Sequence, residues 1–178
     1  LSKLANTNIY IEDNASITAP EIKAKCRRLA STPSGLGLVV IDYLQLVTTG
    51  SNRVESRQVE VSEISRSLKT MALELDVPVI ALAQLSRSVD KRENKEPALV
   101  DLRESGSLEQ DADLVLFLNR KDYYEAKSEK KENIVPIDVI IAKHRKGSTG
   151  LYRLLFELNM SNFKNYLHTE NEEGGYHE

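Results

Sequence analysis

A chain of 178 residues, 40% hydrophobic and 29% charged, is long enough to bury a real core and needs no second domain. Its single cysteine, Cys26, excludes an internal disulfide, and the lack of a signal-peptide pattern or long apolar run excludes a bilayer span and points to a reducing cytoplasm. Net charge is −3, but Glu170, Glu172, Glu173 and Glu178 crowd the last ten residues and leave about +1 on residues 1–168, so any nucleic-acid site must be a local basic patch. Residues 1–168 read as one folded domain and 169–178 as a disordered acidic tail. The chain opens at Leu1 without an initiating methionine, as a piece cut from something longer would.

In chain order, Ile9 to Ile11 is a short β-rich run. The helix after it is announced by Thr18-Ala-Pro-Glu21, a capping box with proline in the first turn, and Ile22, Cys26 and Leu29 follow at helical spacing on one face. Proline and two glycines in residues 31–37 end that helix and lead into Leu38-Val-Val-Ile41, a continuous apolar run whose first charge is Asp42. The run suits a central strand of a parallel sheet covered on both faces, and the acid falls where the strand ends. Beyond the carboxyl ends of such strands lies the ligand crevice of open α/β sheets, so Asp42 is placed to hold Mg²⁺ on a nucleotide triphosphate; the alternative is a strand followed by an Asx turn.

Residues 48–58 are polar and read as a mobile loop. The next helix is the clearest in the chain: Val61, Ile64, Leu68, Met71 and Leu75 repeat at steps of three and four, with Glu63, Arg66, Lys69 and Glu74 off that stripe. A second buried strand over residues 77–83 ends at Gln84, either a ligand contact or a hydrogen-bonded strand terminus. Residues 86–96 form a charged surface loop, and residues 101–113 lead into a third buried strand, 114–118. Residues 121–133 are a charged insertion. Strands over 137–143 and 151–158 then flank a basic tip, His144-Arg-Lys-Gly-Ser-Thr-Gly150, as a hairpin.

Asp42, Gln84 and the segment from Arg103 to Asp113 are thus expected along one edge of a sheet, where a nucleotide-driven motor needs a metal-holding acid and a residue that senses the γ-phosphate. Two parts of such a motor are missing from this stretch. No Gly-x-x-x-x-Gly-Lys-[Ser/Thr] occurs, and Asp42 is followed by Tyr43 where some ATPases carry a water-orienting glutamate.

Val39-Val-Ile-Asp-Tyr-Leu-Gln-Leu46, Glu60-Val-Ser-Glu-Ile-Ser-Arg-Ser-Leu-Lys69, Val77-Pro-Val-Ile-Ala-Leu-Ala-Gln-Leu-Ser-Arg87, Arg103-Glu-Ser-Gly-Ser-Leu-Glu-Gln-Asp-Ala-Asp113 and Ala142-Lys-His-Arg-Lys-Gly147 together resemble, in order and spacing, the motifs of bacterial replicative DNA helicases of the DnaB type. The resemblance covers roughly residues 1–168. It implies a RecA-like α/β ATPase domain, a twisted and mostly parallel sheet flanked by helices with a carboxy-terminal antiparallel hairpin, working as a homo-hexameric ring that moves 5′–3′ along single-stranded DNA. ATP and Mg²⁺ are the implied cofactors, and primase and a helicase loader the implied partners. The family's phosphate loop and catalytic glutamate lie upstream of the matched span.

Carried over by resemblance, Asp42 is the Mg²⁺-binding Walker B acid and Gln84 the polar sensor linking nucleotide state to DNA loops. Arg103, Glu104 and Gly106 match the loop that holds the DNA backbone. Lys143 and Arg145 match the basic hairpin that reaches nucleotide on the neighbouring subunit. Where the family often has Asn-Gly-Pro after that arginine, this chain has Lys146-Gly-Ser. The bland readings are a solvated hairpin tip for Lys143, Arg145 and Lys146 and a simple ion pair for Arg103. The alternative functions are a RecA-type recombinase ATPase and a non-hydrolysing module that docks loader or primase. Without a phosphate cradle, the 178-residue chain alone is expected not to turn over ATP; phosphate release above background that Asp42→Ala abolishes would contradict this.

Overall fold

The computed structural model describes residues 7–14, 16–50, 56–86, 89, 92, 95–105, 107–121 and 133–166, without the side chains of 103–105. The expected acidic tail, the body of the 121–133 insertion, Gly106 and parts of the two polar loops lie outside the described residues. The chain forms two compact units: Leu1–Ser88 with Leu99–Ala112, and Val89–Ala98 with Asp113–Glu178. Among the described residues, no helix is long and apolar enough to cross a membrane.

In the first unit, helix α1 (Ala19–Ala30) starts as its sequence requires. Thr18 Oγ1 accepts the Glu21 N–H while the Glu21 carboxylate accepts the Thr18 N–H at 2.8 Å, so each satisfies a backbone donor that the first helical turn leaves open. Helix α2 (Arg57–Leu75) is capped by Ser56 and stops at Asp76, whose φ of 52° suits a short polar residue able to visit the left-handed region. Between them lie strand β1 (Val39–Ile41) and a 3₁₀ turn, η1 (Leu44–Leu46). Strand β2 (Val79–Ala81) follows α2 and pairs with β1 in parallel, Val40 opposite Ile80. A parallel pair needs a long crossover, and α2 with its flanking loops supplies it.

The expected stripe is the core. Val61, Ile64, Leu68 and Met71 of α2 pack with Ala19, Ile22 and Cys26 of α1 and with Ile41, Leu44 and Val47, and Leu75 packs partly against them. Burial pushes the Cys26 thiol pKa up, as an inert core cysteine should show. Lys23 and Arg27 of α1 both reach Glu74 of α2, at 2.8 and 2.6 Å, and with the Lys23 contact foremost they hold its carboxyl below the ordinary glutamate range. A carboxyl depressed in the fold stabilises above its unfolded value and loses that effect as pH falls through the lower folded value. Glu74→Gln is therefore expected to lower the urea midpoint at pH 7, and its gap from the parent should shrink steadily below about pH 4.3. A gap that stays constant into acid would refute the pairing.

Two expectations fail here. Residues 9–11 form no strand: Ile9, Tyr10 and Ile11 are all exposed, and the pairing that a strand there would have made is reduced to a single parallel bridge between Thr18 and Thr48. The β1 and β2 strands are three residues each and are covered on one face only, leaving Leu38, Val40, Ile80 and Leu82 about half exposed. Within the described chain α1 and α2 both pack on the same side, so nothing there meets the second face.

A 3₁₀ segment, η2 (Leu99–Ser105), and a short helix, α3 (Leu108–Asp111), complete the unit. Ser65 Oγ of α2 donates to Asp111 at 2.7 Å and Ser107 Oγ donates to the Ser62 carbonyl, which ties this segment to the crossover helix.

The second unit is a four-stranded antiparallel sheet in the order β3 (Leu114–Asn119), β4 (Ile134–His144), β5 (Gly150–Glu157), β6 (Asn162–Asn165). The hairpin expected around residues 144–150 is present as β4 and β5. The third strand, expected to be buried and to run with the other two, instead pairs antiparallel with β4 and alternates: Val115, Phe117 and Asn119 are buried, Leu114, Leu116 and Leu118 exposed. Its all-apolar start hid that period of two. Opposite Val115 stands Lys143 and opposite Leu116 stands Ile141, so Ala142 is an extra residue, a β-bulge one step before the basic tip. Buried Asp138 accepts from Arg153 at 3.0 Å and faces Lys121 at 3.2 Å, which satisfies a carboxylate the sheet would otherwise strand.

Candidate nucleotide site

The β1–β2 ladder runs on past its last paired residues. Leu82 N–H donates to the Ile41 carbonyl and Leu44 N–H to the Leu82 carbonyl, both at 2.9 Å, so the chain ends leaving the two strands stay side by side. That continuation brings Asp42 and Gln84 to one place. With Tyr43, Leu82 and Ala83 they line an open cleft of about 400 Å³, and both residues border it. The Asp42–Tyr43 peptide is cis. An acid and an amide at adjoining strand ends offer a charge for a cation and a neutral donor for an oxyanion.

Among the described residues, no group of three or more His, Cys, Asp or Glu side chains converges, so Asp42 is not part of an all-protein metal cage there. An exposed carboxylate at a cleft mouth fits Mg²⁺ shared with nucleotide phosphates, because that ion keeps several waters and takes one or two carboxylates.

Arg57, at the start of α2, organises the loop behind the cleft. Its Nη2 donates to the Gln45 carbonyl at 2.8 Å and the Val47 carbonyl at 3.2 Å, and its other terminal nitrogen pairs with Glu60. Burial pushes the Glu60 carboxyl up, but the Thr49 N–H and the Arg57 guanidinium together outweigh it and hold the group below the ordinary range. Sequence reasoning passed over Gln45 and treated Arg57 only as loop. The available signal was an amide three residues beyond the acid, at the mouth of the same strand.

The other candidates stand elsewhere. Arg103 and Glu104 lie in η2, in the same unit as Asp42 and Gln84; their side chains and Gly106 are outside the described residues. Ser86, two residues past Gln84, donates its N–H to the carbonyl of Asp101, two residues before Arg103, at 3.3 Å. Lys143 and Arg145 belong to the second unit, at the end of β4 and just past it. Lys143 is half-buried. Arg145 is 48% exposed; its N–H donates to the Asp113 carbonyl at 2.9 Å and its guanidinium stands 3.5 Å from the Asp113 carboxylate. Between exposed groups at that distance an ion pair is worth about 0–1 kcal/mol, so this one restrains the arginine only weakly. At the turn, a Cβ on Gly147 would come within 2.4 Å of the His144 ring, which is why the tip carries glycine there.

Comparison with known proteins accounts for this arrangement. The replicative DNA helicase DnaB of Geobacillus stearothermophilus is 56% identical over 165 residues, 93% of this chain and 36% of the relative. The replicative DNA helicase DnaC of Bacillus subtilis is 53% identical over the same shares. Among solved structures, an isolated ATPase domain matches with a TM-score of 0.82 at 49% identity, over 93% of this chain and 57% of that one. A DnaB-like replicative helicase, solved to examine its interactions with primase, matches equally well over 40% of its length. The chain thus spans little more than a third of the curated relatives it matches. The sequence profile described as the DnaB-like helicase C terminal domain matches residues 1–165, and the chain belongs to that family.

Proposed function

We propose that this chain is the carboxy-terminal part of the motor of an ATP-driven replicative DNA helicase, one that forms a homo-hexameric ring in the cytoplasm and translocates on single-stranded DNA. The observation that carries the reading is the pairing of Asp42 and Gln84 in one cleft at the ends of two parallel strands, in a chain whose relatives are replicative helicases. Asp42 would hold Mg²⁺ on ATP, and the metal would supply charge neutralisation at the transferring phosphoryl group. Gln84 would meet the γ-phosphate. The Ser86–Asp101 hydrogen bond supports a mechanical link from Gln84 to the DNA loop that holds Arg103, Glu104 and Gly106. Lys143 and Arg145 would act on ATP held by the adjoining subunit. Primase and a loader are the proposed protein partners.

The test is strand separation. The full-length protein should release the excluded strand of a forked duplex only when ATP is hydrolysed, and hydrolysis without any strand release would favour the recombinase or docking alternatives. Arg103→Ala in that protein should weaken binding of every single strand about equally and reduce the salt slope by about one phosphate contact, because a translocating loop reads backbone and not bases. A loss confined to particular base sequences would argue against a translocation loop.

A further inference from the structure

We propose that Gln45 is a positioning residue for the nucleotide site, one whose carboxamide clamps the Gln84 peptide and so sets the direction in which the Gln84 side chain enters the cleft. The inference rests on the reading of Gln84 as the residue that meets the γ-phosphate. Gln45 Nε2 donates to the Gln84 carbonyl at 3.0 Å, and Gln84 N–H donates to Gln45 Oε1 at 3.3 Å. A primary amide is the side chain that can do both at once, since it presents an acceptor and a donor in one plane.

The need for the clamp follows from strand length. Paired residues of β2 end at Ala81, and the last main-chain bond across the two strands among the described residues joins Leu44 to Leu82. Beyond that point β1 has turned into η1, and the Gln45 side chain takes the place at Gln84 that a continuing strand would have filled. Gln45 is itself held, because Arg57 binds its carbonyl and that of Val47. A continuous set of contacts therefore runs from the first turn of α2 through Gln45 to Gln84. A side chain on a loosely held peptide samples many directions, and a misplacement of about 1 Å at a reacting centre costs about 10²-fold in rate.

The experiment uses the full-length protein and a double-mutant cycle. Gln45→Leu keeps the size and removes both hydrogen bonds, while Gln45→Glu keeps the acceptor and sets a carboxylate oxygen against the Gln84 carbonyl. Both are expected to lower kcat for ATP by about 10-fold or more, with KM, melting temperature and ring mass near the parent values. In a Gln84→Ala background the same changes should cost less than about twofold, because the side chain they position is gone. Equal losses in both backgrounds would show a structural role and overturn the proposal, as would an unchanged kcat. If Gln84→Ala alone leaves hydrolysis intact, the γ-phosphate reading falls and this inference with it. If Gln84→Ala is damaging and Gln45 is silent, only the clamp is overturned. Should Gln45→Leu fail to assemble, Gln45→Glu decides by the same cycle.

Discussion

Replacing Arg145 by alanine in the full-length protein is expected to reduce ATP turnover by about 10³-fold or more while leaving nucleotide binding and ring assembly nearly intact. The side chain sits just past the end of β4 on a basic tip, and its contact with the Asp113 carboxylate is exposed and 3.5 Å long. Exchanging that contact for phosphoryl oxygens costs little, and the fixed fork of a guanidinium can bridge two of them. Lysine lacks that fork, so Arg145→Lys should recover only a small part of the lost rate. Mixing tells cis from trans. Rings assembled from one subunit without its phosphate-loop lysine and another with Arg145→Ala contain interfaces where an intact loop faces an intact arginine, and a trans role predicts partial recovery of activity. Mixed rings, verified by mass, that recover nothing would favour a solvated tip or a role within one subunit.

The second large effect is expected at Asp42. The residue is exposed at the cleft and lies outside the packed cluster, so Asp42→Ala should leave the melting temperature close to the parent value. Losing a metal anchor removes several kcal/mol of charge stabilisation, which corresponds to about 10²- to 10³-fold in kcat. The diagnostic measurement is the Mg²⁺ dependence of nucleotide binding. The parent should bind ATP more tightly as Mg²⁺ is added, and the variant should show a much flatter response. An unchanged Mg²⁺ response would remove Asp42 from the metal site, whatever happened to the rate.

What could be read in the sequence divides along a physical line. The capping box at Thr18 and Glu21, the α2 stripe and the apolar run ending at Asp42 are local patterns, written in residues a few positions apart, and each is found where expected. Ile9 to Ile11 has the composition of a strand, but composition supplies no partner, and the segment stays exposed. Residues 114–118 are apolar at every position, so nothing local distinguished a strand buried on both faces from one that alternates against β4. β6 went unnoticed because Asn162-Phe-Lys-Asn165 is largely polar and is made a strand by pairing with residues 154–157. At the site, Asp42 and Gln84 were legible because both close apolar runs. Gln45 was not, since its importance lies in which peptide it touches across 39 positions of chain.

The bulge at Ala142 makes the bearing of the basic tip a matter of counting as well as of chemistry. Everything on β4 up to Ile141 is registered against Leu116 and its successors, while Lys143 and His144 are registered one step differently against Val115 and Leu114. A polypeptide lacking that single residue could keep every one of these partners and the same lysine and arginine, yet lose the local bend and present them along another line. Two proteins with identical tips would then point their cations at different places. For this part of the molecule an insertion or deletion of one residue carries more meaning than many substitutions, and alignments of the tip are best anchored at Leu116 and Ile141 rather than at the basic residues themselves.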